Sequence, residues 1–120
     1  MRRRRGAGYL TLLDPDRLDP GELDERAALC EESGADALLI GTSLMFSGRN
    51  AECFERVKAR VGVPVISFPG SASQVVPTAD AILFLSLVSG RNPELLIGEH
   101  VKAAPLLREY GVEAIPTGYM

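Results

Sequence analysis

Cysteine and histidine are scarce in this chain of 120 residues, which contains two cysteines and one histidine. Cys30 and Cys53 stand far apart, and neither belongs to a C-x-x-C pair or has a histidine nearby, so no zinc site or redox motif is indicated. The pattern is typical of buried, reduced thiols in the cytoplasm, which is where we expect the protein to reside. The lone His100 falls within a predicted helix away from the strand ends, and we expect it to lie at the surface or to pack rather than to catalyse.

Long apolar runs are also missing. None approaches the roughly 20 residues that cross a bilayer, and the run behind the N-terminal arginines is too short for a secretory signal. No predicted strand is followed by G-x-G-x-x-G or by a P-loop, which argues against nucleotide binding by those routes. Basic residues are fewer than acidic ones, and the formal net charge of −3 argues against nucleic acid as a partner.

One basic cluster is present, at residues 2–5. We assign residues 1–8 to a basic N-terminal arm that is solvated. Contact with anionic lipid or phosphate is the alternative, which leaves peripheral membrane contact open. Residues 9–120 are assigned to a single domain, because 46% hydrophobic and 24% charged residues are the composition of an ordinary globular protein.

Five short apolar runs predict β-strands. Each is continuous rather than alternating, as is typical of parallel strands covered on both faces. The runs are YLTLL (9–13), ADALLIG (35–41), VPVISF (63–68), DAILFLSLV (80–88) and VEAIPTGY (112–119).

Helices are predicted between most of these runs, over residues 19–34, 50–62 and 92–111. Asp19 is a good N-cap because Pro20 follows it and Glu22 lies three residues further on. Pro105 is expected to kink or split the third helix. The segment over residues 70–80 is too short and too marked by proline for more than a turn or two.

Alternation of strands and helices predicts a parallel α/β sheet with right-handed crossovers. Two architectures fit: an open doubly wound sheet of five strands, or the first half of a (β/α)8 barrel, covering its strands one to five. In both, chemistry lies at the carboxyl ends of the strands, which are rich here in Gly, Ser, Thr, Pro and Asp. A phospho-acceptor receiver domain is disfavoured, because its aspartate after strand three and its lysine after strand five are both missing.

Three carboxylates follow the first strand within six residues, at Asp14, Asp16 and Asp19. The spacing is not that of an EF-hand, because Pro20 stands where the glycine must be. Two interpretations remain: a turn leading into a helix, or a cation site at the strand ends.

Longer motifs at the strand ends narrow the choice. They are TLLDPDR, GADALLIGTS, VPVISFPGSAS, ADAILFLSLVSGRNPELLIGEH and YGVEAIPTGY. In these motifs the sequence resembles the geranylgeranylglyceryl phosphate synthase family and its bacterial heptaprenyl relatives, from about Tyr9 to Met120.

The resemblance implies the first half of a (β/α)8 barrel and a prenyltransferase. The reaction it implies moves a geranylgeranyl or longer prenyl group from its diphosphate to the 3-hydroxyl of sn-glycerol 1-phosphate. It also implies a Mg²⁺ cofactor held by Asp14 and Ser43, with Asp16 left as a turn residue or as an outer partner of the metal ligands. Tyr119 ends the fifth strand, and we expect its ring to face the substrate. Phe68, Phe84, Leu85 and Leu87 are expected to be mostly barrel core.

Members of this family are about twice as long, so residues that would cradle glycerol phosphate, and a glutamate base on strand six, have no counterpart in this sequence. A half-barrel leaves its first and fifth strands as unpaired edges, and we therefore expect a homo-oligomer. Two other functions stay open: a non-catalytic half-barrel that binds Mg²⁺ and prenyl diphosphate, or another phosphate-binding barrel enzyme.

Overall fold

The computed structural model describes residues 6–41 and 50–120. Within them, five strands and three α-helices alternate along the chain, and every strand and helix predicted from the sequence is confirmed. The strands are β1 (Leu10–Leu13), β2 (Ala37–Ile40), β3 (Val65–Ser67), β4 (Ala81–Leu87) and β5 (Glu113–Tyr119). The helices are α1 (Pro20–Glu32), α2 (Asn50–Arg60) and α3 (Glu99–Tyr110). A 3₁₀ turn spans Ala72–Gln74, and a π-helical turn, Glu94–Gly98, leads into α3.

The strand order decides between the two predicted architectures. All five strands are parallel, and they lie in the order β1-β2-β3-β4-β5. A doubly wound open sheet reverses its order at a switch point, whereas a barrel places each strand beside the next one along the chain. The barrel prediction is therefore confirmed, and the open-sheet alternative is wrong.

The two faces of the sheet differ in the way that a barrel requires. On one face, Leu38 and Val65 pack against Phe54 and Val57 of α2, and all four are almost fully buried. On the other face, Ile66 and other apolar side chains form a second cluster. No helix among the described residues covers this second face, which corresponds to the interior of a closed barrel.

The residues predicted to begin and end helices do so in the structure. Asp19 is the N-cap of α1, and its backbone N–H donates to Glu22 Oε2 at 3.1 Å, which is half of a capping box. Gly111 ends α3 in the left-handed conformation, with φ of 68°, where a side chain would be strained. The interpretation of Asp19 as a helix cap is confirmed.

Pro105 is expected to kink or split the third helix, and the expectation of a split is wrong. Helix α3 runs through Pro105 without a break. Pro105 is exposed, so the carbonyl of Val101, which loses its helical partner, lies on the outer side of the helix where water can reach it. The irregular turn comes earlier, where Glu99 N–H donates to the Glu94 carbonyl five residues back.

A hydrogen-bonded ion pair ties α2 to the sheet at the end opposite the strand carboxyl termini. Asp80 accepts from Lys58 Nζ at 2.7 Å and from the Val65 N–H at 2.8 Å. Burial raises the pKa of Asp80, but these two hydrogen bonds stabilise the carboxylate and outweigh it, so the net pKa is lowered.

The Asp80 contacts predict acid-dependent stability. A carboxyl group whose pKa is lowered in the folded state stabilises the fold above its unfolded pKa, and this stabilisation disappears as pH falls below about 4. Asp80→Asn should lower the free energy of unfolding by about 1 kcal/mol at pH 7, because the side chain is 39% exposed. Urea unfolding at pH 7 and pH 3 should show the difference from the parent shrinking at pH 3. Glu109→Gln, on the exposed side of α3, is the control; a difference for Asp80→Asn that stays constant with pH would contradict the assignment.

Candidate substrate site

A cavity of about 720 Å³ opens at the carboxyl ends of the strands. All five strand ends contribute to it, as the sequence predicts. Asp14 follows β1, Gly41 follows β2, Phe68 follows β3, and Leu87 and Tyr119 close β4 and β5. The remaining lining residues are Leu12, Arg17, Pro69, Gly70, Ser71, Ala72, Val75, Leu83, Phe84, Leu85, Leu95, Glu99, His100 and Ala103.

The cavity exists because β3 is short. Its last register pair joins Ser67 to Ile82, and β4 continues to Leu87 without a strand beside it on that edge. The connection to β4 then contains a 3₁₀ turn of three residues rather than a helix. Among the described residues, β3 does not continue beside the upper part of β4, and no α-helix follows β3. The space lies between the upper part of β4 and α3. The prediction of no helix over residues 70–80 is confirmed.

The walls of this space are mostly apolar. Phe84 and Leu85 of β4, Val75 of the 3₁₀ segment and Ala103 of α3 all face it. Phe68, Phe84, Leu85 and Leu87, which were expected to be mostly core, line the cavity and are only partly buried. The volume falls in the range that encloses a small organic ligand, roughly 300–1,000 Å³.

Asp14 supplies a carboxylate at one edge of the cavity. Its Oδ1 accepts the Asp16 N–H at 3.0 Å, and its Oδ2 lies 3.3 Å from Arg17 Nε. The Asp14 side chain is 27% exposed and that of Arg17 is 84% exposed, so this ion pair contributes little to stability and both groups remain available to a ligand. Asp16 is exposed and does not line the cavity.

The chemistry of Asp14 fits the expected metal. Mg²⁺ binds through one or two carboxylates together with phosphate oxygens and water, rather than in a cage made entirely of protein. The part of the chain that the structure describes has no cluster of three or more His, Cys, Asp or Glu side chains, and Mg²⁺ binding stays a prediction. Ser43, the other predicted ligand, lies outside the described residues.

Tyr119 lines the same cavity from the end of β5. Its ring meets that of Phe68 edge to face, with centroids 5.7 Å apart and planes at 75°. Both residues extend the barrel-facing side of the sheet, so the pair lies across the end of β4. The location of Tyr119 agrees with the expectation that it faces the substrate, although substrate contact itself stays a prediction.

His100 is part of the cavity wall, which corrects its expected location away from the strand ends. Its ring stacks on Phe84, with centroids 4.0 Å apart and planes at 18°, and its Nε2 is hydrogen-bonded to the Leu85 carbonyl. Leu85 lies in the part of β4 that extends beyond its pairing with β3. The imidazole therefore provides a hydrogen-bond partner where β3 provides none. The packing role expected from the sequence is confirmed.

Glu99 was not singled out from the sequence, yet it joins the two sides of the cavity. Its Oε2 accepts the Ala72 N–H at 2.6 Å, and its Oε1 accepts from Lys102 Nζ at 3.0 Å. Lys102 also donates to Glu94 Oε2 at 2.7 Å. The Ala72 N–H and the Lys102 ammonium stabilise the Glu99 carboxylate and lower its pKa. No local sequence signal marks a contact across 27 residues.

None of the helices in residues 6–41 and 50–120 is long and apolar enough to cross a bilayer.

A parallel sheet in barrel order, with an apolar cavity and a carboxylate at its strand ends, defines the class of the protein as a (β/α)8-type barrel, of which this chain forms a part. The chain belongs to the PcrB family, whose model matches residues 1–120.

Curated relatives agree with this assignment. The chain is 45% identical over 112 residues to a geranylgeranylglyceryl phosphate synthase of Chitinophaga pinensis, covering 93% of this chain and 44% of the relative. It is 40% identical over 119 residues to one from Aeropyrum pernix, covering 99% of this chain and 47% of the relative. The chain thus spans about half the length of the curated relatives it matches.

A solved structure from the same group of enzymes also matches the fold of this chain. The chain superposes on the crystal structure of (S)-3-O-geranylgeranylglyceryl phosphate synthase from Thermoplasma acidophilum, in complex with its substrate sn-glycerol-1-phosphate, with a TM-score of 0.89 and 37% identity. The match covers 97% of this chain and 47% of that chain.

Proposed function

We propose that this chain forms the prenyl-diphosphate-binding part of a prenyltransferase. The reaction moves a geranylgeranyl or longer prenyl group from its diphosphate to the 3-hydroxyl of sn-glycerol 1-phosphate. The observation that carries the proposal is the cavity itself, in which mostly apolar walls adjoin the Asp14 carboxylate and the Arg17 guanidinium. An allylic diphosphate has the same two parts, an apolar chain and a charged head.

Each part of the cavity has a task in this reaction. Asp14, together with Ser43, would hold a Mg²⁺ ion, which when bound would neutralise the charge of the departing diphosphate. Arg17 offers a second positive group at the same edge. The apolar walls around Phe84 keep water from the allylic carbon, and Tyr119 contacts the substrate from the end of β5.

The acceptor is proposed from the relatives. The Thermoplasma acidophilum structure contains sn-glycerol-1-phosphate, and its match to this chain covers 47% of that protein. We therefore assign the prenyl diphosphate to the described residues, and we assign the glycerol phosphate to the interface between them and the rest of a barrel.

Isothermal titration tests the binding step directly. The chain should bind geranylgeranyl diphosphate in the presence of Mg²⁺ at least about tenfold more tightly than with EDTA, because the metal joins the carboxylate to the diphosphate. Geranylgeraniol, which lacks the diphosphate, should bind equally with and without Mg²⁺. Affinity for the diphosphate that does not respond to Mg²⁺ would overturn the proposal.

The transfer step needs a second measurement. The chain combined with the remaining half of the Thermoplasma acidophilum enzyme should convert radiolabelled sn-glycerol 1-phosphate into a solvent-extractable ether lipid. Mg²⁺-dependent binding without product would favour the non-catalytic half-barrel, and binding of inorganic phosphate alone would favour a different barrel enzyme.

The apolar cavity gives a further prediction. Ala103 is 6% exposed and lies in the cavity wall, whereas the next residue, Ala104, is exposed. Ala103→Phe should weaken geranylgeraniol binding about 15-fold, because a ring that displaces about two methylenes loses about 0.8 kcal/mol for each. Ala104→Phe should bind like the parent. Equal affinities of the two variants by titration, with unchanged circular dichroism, would show that the chain does not occupy this cavity.

A further inference from the structure

The segment after β3 lines the apolar cavity through Ala72 and Val75, and both residues also pack against the apolar cluster that contains Ala103 and Leu107 of α3. Several hydrogen bonds of this segment stay within it: the Gly70 N–H donates to Gln74 Oε1 at 2.7 Å, and the Ser71 and Ser73 hydroxyls pair at 2.7 Å. The bond from the Ala72 N–H to Glu99 Oε2 is different, because it crosses from this segment to α3.

The second carboxylate oxygen of Glu99 is held by Lys102. Lys102 bonds both Glu99 and Glu94, and the Glu94 carboxylate lies over Gly98 in the π-helical turn. A Cβ on Gly98 would come within 2.8 Å of that carboxylate, so glycine leaves the space that Glu94 occupies. The Glu99 side chain is 27% exposed, and its two oxygens have separate partners, which restrains its position.

We propose that Glu99 is a positioning residue that sets the width of the apolar cavity, and through it the preference for a slim isoprenoid chain over bulkier apolar molecules. Its carboxylate fixes the separation between the Ala72 wall and α3. The inference deepens the proposed function, on which it rests, by assigning the selection of the apolar group to a residue that need not touch it.

The chemistry of the contact explains why a carboxylate is needed. Without Glu99, the Ala72 N–H would face the edge of an apolar cavity with no acceptor, and the segment would shift to reach water. A hydrogen bond to a charged acceptor is stronger than one between neutral groups, so it can hold a short segment that has no helix of its own. Widening the cavity removes contacts from a slim ligand and admits a bulky one.

Two variants separate the role of the acceptor from that of bulk. Glu99→Ala removes the acceptor, whereas Glu99→Gln keeps an oxygen that can accept the Ala72 N–H. Hydrogen exchange of the Ala72 amide should accelerate about tenfold in Glu99→Ala and less than about twofold in Glu99→Gln. An unchanged exchange rate in Glu99→Ala would overturn the proposal.

The selectivity between slim and bulky apolar ligands would not change if Glu99 had only a structural role. The ratio of the affinities for farnesol and for 1-adamantanemethanol, measured in the full chain by displacement of a fluorescent apolar probe, should fall about tenfold in Glu99→Ala and recover in Glu99→Gln. A ratio that is equal in all three proteins overturns the inference, as does a Glu99→Gln variant that behaves like Glu99→Ala. A parent that binds neither alcohol overturns it as well.

The same experiment keeps the two proposals apart. Neither alcohol carries a diphosphate, so a changed ratio supports the role of Glu99 even if Mg²⁺-dependent binding or prenyl transfer fails. Conversely, prenyl transfer with an unchanged ratio supports the proposed function and rejects the role of Glu99.

Discussion

Asp14→Asn is expected to remove the Mg²⁺-dependent binding of geranylgeranyl diphosphate while leaving the binding of geranylgeraniol unchanged. The loss should be about 100-fold in affinity or more, because changing even an outer partner of a metal ligand typically costs 10–100-fold. Asparagine has the shape of aspartate but lacks the negative charge that a hard cation requires.

The local structure indicates that Asp14→Asn changes the charge of the side chain without disturbing the fold. Asp14 Oδ1 accepts the Asp16 N–H, and an asparagine oxygen can accept the same bond, so the turn after β1 should be retained. The ion pair with Arg17 is lost, but Arg17 is largely exposed and the pair adds little to stability. A fall in affinity would therefore report the ligand and not the fold.

Asp16→Asn is the matched control, since it makes the same change of charge two residues away on an exposed side chain. It should bind geranylgeranyl diphosphate like the parent in titrations with and without Mg²⁺. If Asp14→Asn binds as tightly as the parent in Mg²⁺, the metal assignment is wrong and the carboxylate has another role.

The elements of this fold could be predicted because they follow from local patterns. Continuous apolar runs located all five strands, and the residues that cap or stop helices, such as Asp19 and Gly111, located the helix ends to within a few residues. The strand order could not be obtained in this way. The apolar pattern reports that strands are covered on both faces, and both doubly wound sheets and barrels satisfy that condition.

The candidate site was predictable only where the backbone positions it. Asp14 and Tyr119 lie at strand ends, so the rule that parallel strands bring their carboxyl ends together was enough to place them at one cavity. The cavity itself depends on β3 being four residues shorter than β4, with three residues against seven, and the apolar runs in the sequence do not mark where pairing stops.

His100 and Glu99 show the limit most clearly. Each makes its defining contact across the cavity, to Leu85 at a separation of 15 residues and to Ala72 at 27. Such contacts depend on how α3 packs against β4 and the segment after β3, and the apolar periodicity of a helix does not predict them. The expectation that Pro105 splits α3 was wrong for a similar reason, because exposure of the lost carbonyl depends on which side of the helix packs.

Gly41→Ala is expected to disturb both the sheet and the site. A Cβ at position 41 would lie 1.9 Å from the carbonyl oxygen of Phe68 and 2.9 Å from its Cβ, distances that side-chain adjustment cannot relieve. The backbone at Gly41 does not have positive φ, so the requirement for glycine here is one of space. The end of β2 and the residue after β3 would have to separate.

This separation has two measurable consequences. The Phe68 N–H donates to the Ile40 carbonyl at 2.8 Å, and Phe68 also meets the ring of Tyr119, so moving Phe68 breaks the sheet edge and displaces the aromatic pair together. The free energy of unfolding should fall by about 3 kcal/mol, at the upper end of what overpacking costs. Geranylgeraniol binding should weaken about tenfold or more, because Phe68 is part of the cavity wall.

Gly21→Ala is the matched control for Gly41→Ala. Gly21 lies in the first turn of α1, and a Cβ there would have no heavy atom within 4 Å. Since alanine is the better helix former, this variant should be as stable as the parent or slightly more stable in urea unfolding. A Gly41→Ala protein that matched the parent in both stability and affinity would contradict this prediction. It would mean that Gly41 and the Phe68 carbonyl lie further apart than the expected Cβ–oxygen distance of 1.9 Å requires. Failure of Gly41→Ala to fold, with Gly21→Ala intact, would agree with the expected clash, because in that case the approach of Gly41 to Phe68 supports both the sheet and the site.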